Sequence, residues 1–289
     1  MKNKSQKLNS NNVTSVKQWV KNSLQFLPDY TEGEEKFLIC DSTNLNATKL
    51  LVLKEFDKKQ IKKIKRFVNE RLKGKPLNKI SKKAYFYEEE LFVNNFVLSP
   101  RKETEILVEL VLEELKNSKI LAPQVLDLCC GSGAIGLTVA KHNKNCFVTL
   151  SDISSKAIKI SQKNQKNLNT QQNTKIIKSN LFEGLKKNER FDIIVSNPPY
   201  IATDELSSLQ HGVKTYEPAL ALDGGQDGLK FYKIIANKAS DYLNKNGKIY
   251  VEIGYNQKEE VCNLFKQNGY KTKCIKDYSG LDRIIVAHF

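Results

Sequence analysis

Residues 125–137, VLDLCCGSGAIGL, run an apolar stretch straight into a glycine turn and then into a helical pattern. Gly131, Gly133 and Gly136 fit the spacing G-x-G-x-x-G, which lets backbone turn tightly out of a strand and approach a ligand closely. The chain beyond this turn keeps to the same rhythm. Strands are expected at about 124–130, 146–152, 174–179, 191–196 and 247–253, with helices near 134–142, 155–168, 227–244 and 256–268. Two last strands fit near 270–276 and 283–289. Strands separated by helical patterns of this length mean βαβ units and a mostly parallel sheet, so the expected class is α/β.

The chain before this region is different. From Val13 to about Leu77 the pattern is helical, with Val16, Trp19, Val20 and Leu24 on one face and Ile61, Ile64, Val68 and Leu72 on another. Lys58, Lys59, Lys62, Lys63, Lys65 and Arg66 lie opposite and read as a solvated face. Gly74–Pro76 ends the region. Residues 84–100, AYFYEEELFVNNFVLSP, alternate and read as a β-hairpin with its turn at Asn94–Asn95, and a helix starts from Thr104. The length of 289 residues suggests two domains. The expected plan is a disordered lead over 1–12, a helical domain over 13–80, a hairpin linker over 81–100 and the α/β domain over 101–289.

No apolar run is long enough to span a membrane, and the polar N-terminus does not read as a secretory signal. The six cysteines form no C-x-x-C pair, which fits a reducing, cytoplasmic setting. The net charge of +15 invites a nucleic-acid partner, but only five of the 47 basic residues are Arg and the Lys are scattered. A phosphate-reading surface is more often Arg-rich and clustered, so a direct nucleic-acid role is discounted.

Asp152 ends the strand after the glycine turn, about twenty residues on, where a carboxylate can accept both ribose hydroxyls of an adenosine. NAD and S-adenosylmethionine suit that geometry equally. Asp127, inside the apolar strand, either organises the loop facing the methionine part of such a cofactor or only caps loop N–H groups.

SNPPYI, residues 196–201, stops an apolar strand abruptly. Ligands in open α/β sheets sit at the carboxyl ends of strands, so this corner opens on the cleft beside the glycine loop. Its prolines stiffen the turn and leave carbonyls free of local donors, Asn197 adds a side-chain carbonyl, and Tyr200 a flat face. Together they suit a planar NH2 group, which needs orientation toward an electrophile more than it needs a base.

With this corner, the chain resembles the amino-methyltransferases that act on planar nitrogens, and within them the release factor glutamine methyltransferase family. The stretches that carry the resemblance are GKPLNKI at Gly74, FVLSPRKETEILVE at Phe96, SNPPYI, EPALALDGGQDGLKFY at Glu217, VEIGYNQ at Val251 and DYSGLDRIIVA at Asp277, in the family's order. The resemblance implies a Rossmann-like class I methyltransferase domain with a seven-stranded sheet. It also implies transfer of a methyl group from S-adenosylmethionine to a Gln amide in a Gly-Gly-Gln loop of peptide chain release factors, with the helical domain holding the factor. The protein itself is expected to be a monomer, touching nucleic acid only indirectly through the ribosome. Its own Gly224-Gly225-Gln226 falls in an enzyme loop and is not read as substrate. The implied catalytic corner is Asn197, Pro198, Pro199 and Tyr200. The cofactor is expected against Asp127, Cys129, Cys130, Gly131, Ser132, Gly133, Asp152, Asn180, Leu181 and Asn197, with Arg101 and Thr104 from the linker. Lys102, Cys129, Cys130, Asn180 and Leu181 depart from the family's usual residues, and an Asn at 180 can still accept from an adenine amino group. The rival readings are an adenine-N6 methyltransferase acting on DNA or RNA, an NAD-dependent oxidoreductase, and a cofactor-binding scaffold without catalysis.

Overall fold

The computed structural model describes residues 8 and 10–289. Most of the expected lead lies outside these residues. The chain divides into two compact units, one ending at Lys82 and the other running from Lys83 to Phe289.

The first unit is helical: α1 (Val13–Leu24), α2 (Glu34–Thr43), α3 (Ala47–Val52), α4 (Lys58–Leu72) and α5 (Leu77–Ser81). Asn12 caps α1, Asn46 caps α3, and Asp57 with Gln60 forms a capping box on α4. The apolar faces meet in one core that includes Val16, Val20, Leu24, Leu38, Ile39, Ile64 and Val68. Leu72 is not on the inner face as expected; it is exposed, and Arg71 takes the inward position. Position 71 continues the 61–64–68 stripe at helical spacing, and its guanidinium is paired with Glu34 and Asp29, which makes burial tolerable.

The second unit opens with a hairpin, β1 (Lys83–Phe86) and β2 (Glu89–Phe92). Its turn is Tyr87–Glu88, not Asn94–Asn95. Both turn residues take positive φ, 47° and 69°, the two-residue geometry whose twist matches that of paired strands. Asn164 pins the hairpin's end, accepting from Phe92 N and donating to Phe92 O.

Next come α6 (Glu105–Asn117), β3 (Gln124–Leu128), α7 (Ala134–His142), β4 (Phe147–Asp152), α8 (Ser155–Leu168), β5 (Thr174–Lys178), β6 (Phe191–Ser196), α9 (His211–Tyr216), α10 (Lys230–Lys238), β7 (Leu243–Glu252), α11 (Lys258–Gln267), β8 (Lys271–Lys276) and β9 (Asp282–His288). The seven-stranded sheet has the order β5-β4-β3-β6-β7-β9-β8, and only the pairings made by β9 are antiparallel. Alternate residues of β3 feed opposite faces. Val125 packs with α6 and α7, Leu126 and Leu128 with α10 and α11. The expected helix over 227–244 is shorter, because the chain turns at Ala239–Asp241 and β7 begins at Leu243. A register shift between Phe191 and Ile193, opposite the Asn244–Gly247 stretch, absorbs the extra residues.

Candidate active site

The chain runs outward from β3 through β4 to β5, then returns to lay β6 on the other side of β3. A sheet parts at such a reversal, and the carboxyl ends of its strands frame a crevice. Here the crevice is a cavity of about 570 Å³ lined by residues between Phe96 and Ile234.

The loop after β3 forms its floor. Cys129, Gly131 and Gly133 take left-handed φ of 58°, 53° and 81°. A Cβ on Gly131 would meet nothing closer than the Cys129 carbonyl at 4.0 Å, so the space beside that backbone is open. The loop is tied from outside: Ser161 Oγ donates to Gly131 O (2.8 Å) and Asn164 Nδ2 to Ser132 O (2.9 Å). Asp152 reaches over from β4, its Oδ2 accepting from Gly131 N (2.9 Å) and its Oδ1 from Ser154 N (2.8 Å). Each oxygen keeps a further lone pair, and Asp152 lines the cavity. Burial pushes the Asp152 carboxyl above its ordinary range, against the pull of those N–H groups.

Asp127 lies below this floor and does not line the cavity. It is fully buried, and its Oδ2 accepts from Gly136 N (2.8 Å) at the start of α7. Of its two readings, the capping one describes what it touches. Burial raises its carboxyl to about 8. Gly133 likewise faces away, against Leu137. The thiols of Cys129 and Cys130 are pushed well up by burial, which leaves them neutral and inert.

Beyond β5, Asn180 and Leu181 form a second wall. Asn180 Nδ2 donates to Glu183 Oε1 (2.9 Å), which leaves its Oδ1 as the unspent acceptor. Arg101 and Thr104 come from the segment before α6. Arg101 is held by Glu217, whose carboxylate also accepts from Ser99 N (3.2 Å).

Asn197 and Pro199 line the cavity; Pro198 and Tyr200 do not. Asn197 Nδ2 donates to Thr104 Oγ1 (3.2 Å), a partner 93 residues away in sequence, so the carbonyl end of the carboxamide is the one left over. The Tyr200 ring is partly buried against the core that holds Leu126 and Leu128, and burial raises its hydroxyl to about 12. Its carbonyl is already used, accepting from Gln257 Nε2 (2.9 Å).

Sequence reasoning gave no role to Gln257, Glu217 or Glu252, although all three sit in stretches that carried the resemblance. Gln257 also accepts from Gly254 N (3.0 Å), so it clamps the corner to the turn after β7. Glu252 is 2% exposed at the end of β7. Burial raises its carboxyl to about 7, opposed by the Thr104 hydroxyl, Arg283 and Asn197. The apolar walls Phe96 and Phe231 were also missed; nothing in a single aromatic residue signals a cavity.

Known proteins resemble this chain in sequence and in fold. The Methyltransferase small domain model matches residues 100–224. A Methyltransferase crystal structure from Pyrococcus furiosus shares the fold at 21% identity, with a TM-score of 0.50 over 70% of this chain and 89% of that one. The Release factor glutamine methyltransferase of Clostridium acetobutylicum is 42% identical over 81% of this chain and 82% of its own length. That of Thermodesulfovibrio yellowstonii is 38% identical over 88% and 91%. Identity at this level, sustained over most of both chains, means that the chain belongs to the release factor glutamine methyltransferase family.

Proposed function

We propose that this protein transfers a methyl group from S-adenosylmethionine to the side-chain amide nitrogen of a glutamine in peptide chain release factors. The observation that carries the reading is Asn197: its NH2 end is spent on Thr104, and its carbonyl end remains at the wall of a cavity that also holds Asp152.

The residues fit the cofactor. Asp152 has lone pairs for the ribose hydroxyls, Asn180 offers an acceptor for an adenine amino group, and the bare backbone at Gly131 borders open space. When bound, S-adenosylmethionine supplies an electrophilic methyl on a sulfonium, which becomes a thioether as the S–C bond breaks and the N–C bond forms. The chain's own work is orientation. An amide nitrogen is a poor nucleophile because its lone pair is delocalised. Asn197 Oδ1 accepts from one of its N–H groups and aims the nitrogen at the methyl. Positioning of that kind supplies roughly 7–11 kcal/mol in favourable cases. The amide proton is lost with or after attack. The half-buried Tyr200 ring backs the corner rather than lying in the open cavity.

All six cysteines are free, as a reducing cytoplasm would keep them. Among the described residues no helix is long and apolar enough to cross a membrane.

The test is incubation with methyl-labelled S-adenosylmethionine and either a release factor or duplex DNA. Mass spectrometry is expected to locate one added CH2 on a single glutamine of the factor. Label in DNA with none in the factor overturns the assignment in favour of adenine methylation.

A further inference from the structure

The orientation of Asn197 needs a cause. A carboxamide is nearly symmetric in shape, and its two ends differ only in donating or accepting. Asn197 Nδ2 points to Thr104 Oγ1 (3.2 Å). A hydroxyl both accepts and donates, so Thr104 alone would hold either end of the amide equally well. Something must set which way the hydroxyl's own hydrogen points.

Glu252 stands on the far side. It ends β7, next to the strand that delivers Asn197, with Ser196 paired to Val251. Its side chain is buried, and the side chains of Thr104 and Asn197 face its carboxyl. Its Oε2 has no hydrogen-bond partner among the described residues. A buried, unpartnered carboxyl oxygen is costly, and a purely structural position would be filled more cheaply by an apolar side chain. Glu252 does not line the cavity.

We propose that Glu252 is a positioning residue: by accepting from the Thr104 hydroxyl it turns that oxygen's lone pairs to the Asn197 NH2 group, and so presents the Asn197 carbonyl to the substrate amide. The proposal rests on the role proposed for the Asn197 corner. An ionised carboxylate only accepts, so the donors run one way, from Asn197 to Glu252, both directly and through Thr104. A protonated carboxyl can donate to Thr104 instead. The hydroxyl hydrogen then turns to Asn197, the favoured end of the amide reverses, and an NH2 group faces the substrate's NH2 group. Donor against donor is a lost acceptor and a repulsion together.

The charged and titratable groups facing Glu252 are Arg283 from β9, Glu103 from the turn before α6, Tyr200 from the corner and Tyr232 from α10, whose hydroxyl donates to the Glu252 backbone carbonyl (2.7 Å). Burial places the Glu252 carboxyl near 7. Turnover is therefore expected to fall as pH drops through about 7.

Two variants of the full chain test this, Glu252→Gln and Thr104→Val, the second leaving the carboxyl in place should the first fold poorly. Both are expected to lose about 10²-fold in turnover on a release factor, and in Glu252→Gln, whose side chain lies outside the cavity, S-adenosylhomocysteine affinity changes little. The acid limb of the wild-type turnover profile should vanish in Glu252→Gln. A substrate-free readout accompanies these. In 15N-labelled protein the Asn197 side-chain NH2 resonance, identified by its absence in Asn197→Ala, should titrate with a midpoint near 7 in wild type and not in Glu252→Gln. Wild-type turnover, an intact acid limb, or an unchanged Asn197 titration in Glu252→Gln overturns the proposal. A parallel loss of turnover and cofactor affinity in Glu252→Gln does so too, since it means a structural role only. A wild-type protein inactive on release factors but with the expected Asn197 titration instead sinks the substrate assignment and supports Glu252.

Discussion

At the scale of single residues, the two key acids of the α/β unit differ in what they face. Asp152 lines the cavity, while Asp127 lies beneath it and touches the backbone of α7. The consequence for Asp127 is a stability that depends on pH in an unusual direction. Its carboxyl rises from the ordinary 3.8 to about 8 in the folded protein. Between those values the unfolded chain has released the proton and the folded chain still holds it. The unfolded state then binds fewer protons, so stability contributed at this site falls as pH rises across that window and levels off above 8. Each unit of displacement is ~1.4 kcal/mol, so the total is on the order of several kcal/mol. Asp127→Asn should remove that slope and be more stable than wild type at pH 8, by denaturant unfolding at pH 5 and pH 8. Asn197 makes the complementary case. Asn197→Ala leaves the loop, Asp152 and Asn180 untouched, so cofactor affinity should hold while turnover drops by roughly 10² or more. Unchanged turnover would mean that the nitrogen is oriented elsewhere.

Among the elements, α7 shows how closely the helix after the glycine loop is fitted to the sheet. A Cβ on Gly136 would lie 2.8 Å from Asp127 Oδ2 and 2.9 Å from Leu150 side-chain atoms. Helix propensity alone predicts that Gly136→Ala gains ~1 kcal/mol. Overpacking costs typically 1–3 kcal/mol, and here it also pushes on the acceptor of the Gly136 N–H. The variant should therefore unfold at lower denaturant than wild type; a gain would show that β3 and α7 can part without loss. This third glycine was readable in the sequence because its reason is local: strand, turn and helix are contiguous. The strands were readable for the same reason, since buried parallel strands are short apolar runs. What stayed hidden depended on partners far along the chain. Asn94–Asn95 is a better turn sequence than Tyr87–Glu88, yet the hairpin turns at the latter because Asn164 and the register hold it there. Leu72 outranks Arg71 on any apolar scale, but Glu34 and Asp29 wait for the guanidinium. Thr104 and Asn197 are 93 residues apart, and no spacing rule joins them. Cys129 reads as an ordinary buried thiol, and only its φ of 58° shows that backbone strain is held at the loop.

For the whole molecule, the division of labour follows from where the cores close. The helical unit has its own core, drawn from Leu8 to Ile80, and the α/β unit has separate cores on the two faces of its sheet. No described residue up to Lys82 lines the cavity. The hairpin belongs with the α/β unit, which runs from Lys83 to Phe289. A unit that closes its own core can fold alone, with the missing neighbour exposing surface but not opening the interior. The fragment 83–289 is therefore expected to bind S-adenosylhomocysteine within about threefold of the full chain, because the contacts that define ligand affinity all lie inside it. Turnover on a release factor should suffer far more, since a protein substrate needs surface beyond the cavity, and binding energy made remotely is what drives orientation at the reacting atom. Calorimetry on the fragment separates the two. Equal cofactor affinity with depressed turnover assigns the helical unit to substrate capture, whereas a tenfold loss of cofactor affinity would mean that residues before Lys83 help to shape the α/β site itself.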